Sequence, residues 1–305
     1  MEVPLFSIII PTYNRPNQLA SCLKSLSCLN YPSDKFEVIL VNDGGVTPAD
    51  DVISTFKDRI NIIVINQTNK GPASARNNGV RTANGELLAF TDDDCLPEPN
   101  WLNALGECLR DNPECIVGGS TLNLLHDNLY STASQLICEL AYKHYSVDHK
   151  QSTFFCSNNI AFSKKKFLEI GGFDESFKTA EDRELCKRWL NNGLKMIFVP
   201  EAIIFHAHRL SLVPFIKQHF NYGRGSFQFY NKKILHGQGY FNNLFEFNFN
   251  PKNLIVYPFS KHRGFRGLSL MLLMFFWQLS NAAGFLFEFL DQIRKSRNTR
   301  RVKCN

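Results

Sequence analysis

Four short runs, Leu5–Ile10, Phe36–Val41, Ile60–Ile65 and Glu86–Thr91, are rich in β-branched residues and nearly all apolar, and stretches of helical spacing separate them. A strand that reads apolar at successive positions is covered on both faces, which is the condition inside a parallel sheet with helices on either side. Strand and helix alternate, so the chain is expected to be α/β, with a mostly parallel central sheet flanked by helices. Leu19, Leu23, Leu26 and Leu29 mark one of those helices, and Pro72 directly after Gly71 marks the first turn of another. The polar residues gather where the strands stop: Pro11 to Arg15 after the first, Asn42-Asp43-Gly44 after the second and Asp92-Asp93-Asp94 after the fourth. In an open α/β sheet that carboxyl edge is where ligands bind.

The second half is less regular. A strand is expected over about Thr153–Phe162, a turn at Gly171-Gly172, a helix from Glu181 to Asn192, and strands near Met196–Val199 and Ile203–Phe205. The 305 residues suffice for one large domain with an appendage or for two modest domains. The formal charge of +6 is unevenly placed: six basic residues and one acidic lie beyond residue 290, which leaves only about +1 for the rest. A nucleic-acid interface needs a basic face on the body, so no nucleic-acid partner is expected, and the basic tail suits an anionic membrane surface. Nine cysteines form no CxxC pair and several lie inside apolar runs, which points to a reduced, cytoplasmic chain. Near the start, Glu2 stands where a signal sequence carries basic residues and the apolar stretch to Ile10 is too short for one, so it reads as a strand.

Three successive aspartates repel one another unless a cation or donor groups neutralise them. A divalent ion is the simplest neutraliser, and hard oxygen ligands suit Mg²⁺ or Mn²⁺, which in turn suit a diphosphate. The bland alternative is a solvated acidic loop or a helix N-cap, since Pro97 and Glu98 follow.

The motifs form an ordered series: Pro11-Thr12-Tyr13-Asn14-Arg15, Val41-Asn42-Asp43-Gly44, Asn69-Lys70-Gly71, Ala75-Arg76-Asn77 with Gly79, and Asp92-Asp93-Asp94. Gly171-Gly172-Phe173-Asp174-Glu175, Glu181-Asp182 and Pro200 leading to His206 continue it. Over roughly residues 5 to 210 this resembles the family 2 glycosyltransferases, inverting enzymes of the GT-A fold. The resemblance implies a transferase, hexosyltransferase-like, that moves a sugar from a UDP-, GDP- or dTDP-type donor to a hydroxyl on a glycan, lipid-linked or other acceptor. It further implies that Pro11, Thr12 and Tyr13 hold the nucleotide base, with Tyr13 stacking on it, while Arg15 faces the donor or is a surface charge. Asp43 would meet the base edge or cap a turn, Arg76 would reach the nucleotide, and Asp92 and Asp93 would face ribose or donor sugar. Asp94 and His206 would bind the metal, with His208 on the same side of the strand end.

Asp182 is the candidate base: an inverting transfer needs one carboxylate beside the attacking hydroxyl. Glu181, about 100° away around a helix, would instead favour the helix N-terminus. Arg224 is a candidate counter-charge for the departing diphosphate. A QxxRW motif of the processive polymer synthases is not evident, which favours single-sugar addition. The competing readings are a nucleotidyltransferase and a catalytically inactive nucleotide-sugar-binding module. The expected organisation is a catalytic domain over 1–210, with a nucleotide-sugar-binding half to about 120 and an acceptor half from 121. A helical extension over 211–305 would follow, with an apolar segment at 267–290 and a basic tail at 291–305. Polar residues Gln278, Ser280 and Asn281 dilute the middle of the apolar segment and basic residues flank both sides, which favours an interfacial helix over a span.

Overall fold

The computed structural model describes residues 3–46, 50–148, 150–235 and 252–303, with side chains described except at 233–235 and 297–303. Eight strands form one sheet: β1 (Phe6–Thr12), β2 (Phe36–Asp43), β3 (Asn61–Gln67), β4 (Leu87–Phe90), β5 (Cys95–Pro97), β6 (Ile116–Asn123), β7 (Ile160–Ser163) and β8 (Met196–His206). Their order is β3-β2-β1-β4-β7-β6-β8-β5. The first four strands are parallel, β7 runs antiparallel to both β4 and β6, and β5 runs antiparallel to β8. The helices are α1 (Pro16–Leu26), α2 (Asp50–Ser54), α3 (Pro72–Thr82), α4 (Trp101–Asp111), α5 (Leu129–Tyr145), α6 (Lys164–Ile170), α7 (Glu181–Asn191), α8 (Leu212–Leu235), α9 (Tyr257–Lys261) and α10 (Gly264–Lys303).

The apolar runs fold as expected because β1 lies between β2 and β4 and has no free edge. Ile8, Ile9 and Ile10 are fully buried, each side chain worth about 1.5–3 kcal/mol of burial. Their neighbours on one face are Leu19, Leu23 and Leu26 of α1 and Leu102 and Leu105 of α4. On the other face α3 comes close enough that a β-carbon on Gly79 would meet Ile9 Cγ2 at 2.6 Å. β3 departs from the expectation of strands covered on both faces: it is the sheet edge, and Asn61, Val64 and Asn66 are exposed.

Two expectations in the second half need correction. Thr153 to Asn159 is not part of a strand, which begins at Ile160. The Asn159 side chain there bonds the carbonyls of Ser120 and Ala202, each at 2.9 Å, and accepts from Trp101 Nε1 at 2.8 Å, so side-chain bonds replace a ladder. The two strands expected around Pro200 are one strand, β8. Its pairing with β6 slips between Gly119 and Ser120, a bulge that absorbs Pro200, which has no N–H to give to a ladder.

The chain divides into two compact units, residues 1–125 with 145–208, and residues 126–144 with 209–305. The first contains the sheet. Most of α5 belongs to the second unit, where Ala133, Leu136 and Leu140 pack with Phe215, Leu270, Leu273, Met274 and Trp277. The expected apolar segment and basic tail are also one element: α10 is a continuous helix of 40 residues. The side chains of Arg297, Arg300, Arg301 and Lys303 lie outside the described residues.

Candidate active site

The short strand β5 sets the first half of the site. Its antiparallel register with β8 places Cys95 opposite His206, so the preceding Asp94 arrives beside that imidazole. Asp94 Oδ1 lies 3.3 Å from His206 Nε2, and Ala207 N donates to the Asp94 carbonyl at 2.8 Å. Asp94, Cys95 and His206 offer ligand atoms that all lie within 4.8 Å of one another. His208 stacks on His206 with ring centres 4.9 Å apart.

The three aspartates diverge to three sets of partners. Asp93 accepts from Thr12 Oγ1 at 2.7 Å and from Arg15 Nη1 at 3.1 Å; the same Arg15 nitrogen reaches Asp94 Oδ2 at 3.1 Å. Asp92 pairs with Arg76 Nη2 at 2.7 Å. Their acidities diverge too. Burial pushes Asp93 up to about 6 against the pull of Arg15. Asp94 is buried as well, yet the His206 hydrogen bond and charge, with Arg15, hold it well below the usual carboxylate range. Burial, with His206 alongside, lowers His208 to about 4.

The second half of the site is built on α7. Asn77 of α3 clamps Phe173, donating to its carbonyl at 2.8 Å and accepting from its amide at 2.9 Å, which sets the ring 5.7 Å from the Arg76 guanidinium. Arg76 is buried and also grips Glu181 Oε1 at 2.9 Å, so one cation bridges the aspartate loop and the first residue of α7. Ala180 just before it adopts φ +69°, a left-handed conformation that costs a non-glycine residue of the order of 1 kcal/mol and that sits where strain serves a site. Asp182 follows, its carboxylate accepting from the amides of Arg183, at 2.7 Å, and Ser157. Burial raises the pKa of both carboxyls, with the neighbouring Asp182 adding to the shift of Glu181, which reaches about 7.

The remaining expected residues are placed as follows. Tyr13 stands half exposed at the end of β1, beside Pro11 and the buried Thr12. Asp43 holds the loop after β3: it accepts from Gln67 Nε2, Lys70 N and Gly71 N, each at 2.8 Å. Arg224 is in the second unit, where its Nε donates to Glu288 Oε2 at 2.8 Å. The Arg76 bridge joins residues 105 positions apart, a separation that leaves no local pattern beyond the adjoining acids Glu181-Asp182.

The sequence profile described as Glycosyl transferase family 2 matches residues 7–171, and one described as the N-terminal domain of galactosyltransferase matches residues 135–210. Glycosyltransferase AglE of Haloferax volcanii is 26% identical over 239 residues, which is 74% of this chain and 74% of that protein. Validoxylamine A glucosyltransferase of Streptomyces hygroscopicus subsp. limoneus is 30% identical over 231 residues, 66% of this chain and 51% of that protein. The match to a pre-mycofactocin glycosyltransferase of Mycobacterium tuberculosis covers only 46% of that protein, so the chain spans about half the length of several relatives. Among solved structures, a mannosyltransferase from Pyrobaculum calidifontis in complex with GDP-Man and Mn²⁺ superposes with a TM-score of 0.68 at 18% identity, covering 95% of this chain and 88% of that one. S. aureus TarS 1-349 in complex with UDP-GlcNAc superposes with a TM-score of 0.56 at 16% identity, covering 92% and 89%. These likenesses identify the fold as GT-A. With more than half of its length matched by the family profile, the chain belongs to glycosyl transferase family 2 and is a glycosyltransferase.

Proposed function

We propose that this glycosyltransferase moves a sugar from a nucleoside-diphosphate donor to an acceptor hydroxyl with inversion at the anomeric carbon, Asp182 acting as the base. The observation that carries the reading is the Arg76 bridge, which ties Asp92 of the aspartate run to the first residue of the helix that bears Asp182. An inverting transfer requires one base on the face opposite the leaving group. Asp182 meets the chemical requirement, because a carboxyl with raised proton affinity takes the hydroxyl proton more readily than an ordinary one. Its hydrogen bonds from Arg183 and Ser157 fix its direction.

The donor set of Asp94 and His206 fits a divalent ion: one buried carboxylate oxygen and one imidazole nitrogen lie close together. An imidazole ligand favours Mn²⁺ over Mg²⁺. An ion held there supplies counter-charge to the leaving diphosphate. Around it the chain's own residues do the binding. Tyr13 offers an exposed ring for the base, Asp43 rigidifies the loop beneath it, and Arg15 and Arg76 balance the aspartates that line the donor side. Arg76 Nε has no hydrogen-bond partner among the described residues, a buried donor that a bound nucleotide sugar would satisfy.

Incubation with UDP-, GDP- and dTDP-sugars, with Mn²⁺, Mg²⁺ or a chelator, tests the proposal. The expected product is a free nucleoside diphosphate formed only with metal. Conversion of the nucleotide sugar with added pyrophosphate into a nucleoside triphosphate and a sugar 1-phosphate would mark a nucleotidyltransferase, and donor binding without any product would mark an inactive binding module. Product of the same yield in the chelator would refute the metal reading.

A further inference from the structure

Along α10 the ordinary arrangement of a water-facing helix is reversed. Every exposed residue from Gly264 to Leu290 is apolar or glycine. Phe265, Leu272, Phe275, Leu279, Leu286 and Leu290 each expose half of their surface or more. The polar residues of the same stretch turn inward, with Gln278, Ser280 and Glu288 buried. Glu288 is held there by Arg224 Nε at 2.8 Å and Gln228 Nε2 at 2.9 Å. A helix facing water puts its polar residues outside, and an exposed apolar surface this continuous marks a contact surface.

Both ends of the stripe are basic. Lys261 and Arg263 are exposed before it, and Arg294 and Lys295 after it. The partner therefore has an apolar interior and an anionic margin, which is the chemistry of a lipid leaflet. By length and composition Gly264–Ser296 also qualifies as a membrane-crossing helix, its most apolar 18-residue window having a mean hydropathy of 1.6. Its companion α8 argues against a crossing. The two helices run parallel, since Gly223 abuts Asn281, Phe220 abuts Gly284, Arg224 meets Glu288 and Asn231 meets Gln292. Lys217 is exposed on α8, and a crossing would carry it and the Arg224–Glu288 pair to bilayer depth. With the helix axis in the plane of the membrane, α8 stays on the water side and both basic ends lie among headgroups of one leaflet.

We propose that the exposed face of α10 lies in the acyl boundary of an anionic bilayer, its axis parallel to the surface, along the roughly 38 Å from Phe265 to Leu290. The occupant is lipid.

The test is flotation of the full chain with vesicles of phosphatidylcholine and phosphatidylserine, against vesicles of phosphatidylcholine alone, at low and high salt. Full-length protein floats with the anionic vesicles, and salt reduces the bound fraction without abolishing it, because screening weakens only the charged part. The triple variant Leu272→Gln, Phe275→Gln, Leu279→Gln stays in the soluble fraction at every salt, with an unchanged circular dichroism spectrum because the replaced side chains face outward. Orientation is read by brominated acyl chains quenching a tryptophan introduced singly as Leu268→Trp, Leu279→Trp or Leu290→Trp. Equal depth at all three positions is the expected result. A graded depth would show a crossing and overturn the in-plane arrangement. Full-length protein that never floats and sediments as a dimer would overturn the lipid assignment in favour of a second copy of the chain, and a triple variant that floats like the parent would overturn the assignment of this face.

Discussion

Replacing Glu181 by glutamine separates what the buried acid pair costs the fold from what it gives the site. Glutamine keeps the shape of the side chain and an oxygen facing Arg76 Nη1, but it cannot ionise. In the native chain burial, reinforced by Asp182 and opposed by Arg76, moves the Glu181 carboxyl from 4.5 to about 7. A carboxyl raised in this way contributes stability that is fully present below its unfolded value and is lost as pH rises through the folded one, here from about 4.5 to about 7. At about 1.4 kcal/mol per tenfold change in proton affinity, that gap is worth about 3 kcal/mol. Glu181→Gln is therefore expected to match the native protein near pH 4.5 and to exceed it by about 3 kcal/mol at pH 8, a rise of several degrees in Tm for a chain of this size. Because Asp182 adjoins Glu181, the effect belongs to the pair, and Asp182→Asn measured alongside apportions it. Thermal unfolding followed by circular dichroism from pH 4.5 to 8 is the assay. A variant less stable than the native chain at pH 8, or offset by the same amount at every pH, would refute the reasoning. It would show that the ion pair with Arg76 outweighs the burial of the charge.

Three other perturbations follow from named contacts. Asp182→Asn should lower turnover by about a hundredfold or more with donor affinity nearly intact, measured as kcat against donor Kd. Unchanged turnover with lost affinity would make Asp182 a binding residue. Asp94→Ala removes one of two adjacent ligand atoms and should abolish metal-dependent turnover and weaken Mn²⁺ binding measured by calorimetry, while the folded spectrum is retained. Gly284→Val drives a side chain into the Phe220 carbonyl across the α8–α10 contact and should cost about 1–3 kcal/mol, read as a fall in Tm. An unchanged Tm would mean that the two helices are free to separate.

The legibility of this chain followed the range of the interactions involved. The parallel half of the sheet could be read because period and composition are local properties: β1 and β2 are apolar through most of their length since helices cover both sides, and each strand announces itself within eight residues. Failure began where the sheet changes direction. β7 is an antiparallel strand of four residues inserted between β4 and β6, and its preceding segment is held by Asn159 side-chain bonds that leave no periodic trace. In the site, only the family resemblance pairs Asp94 with His206; no local pattern does so, because their approach depends on the register of β5 against β8, which joins positions more than a hundred residues apart. Glu181 shows the same limit from the other side. Next to Asp182 in sequence, it has the composition of an ordinary acidic first turn, and a reading confined to neighbours assigns it to the helix terminus. What gives it a different role is Arg76, brought beneath it because Gly79 lets α3 settle on Ile9 and Asn77 clamps Phe173. The small residue and the amide thus position the bridge without touching either carboxylate. Substitutions at Gly79 or Asn77 should accordingly disturb the site through the placement of Arg76, even though neither residue belongs to it.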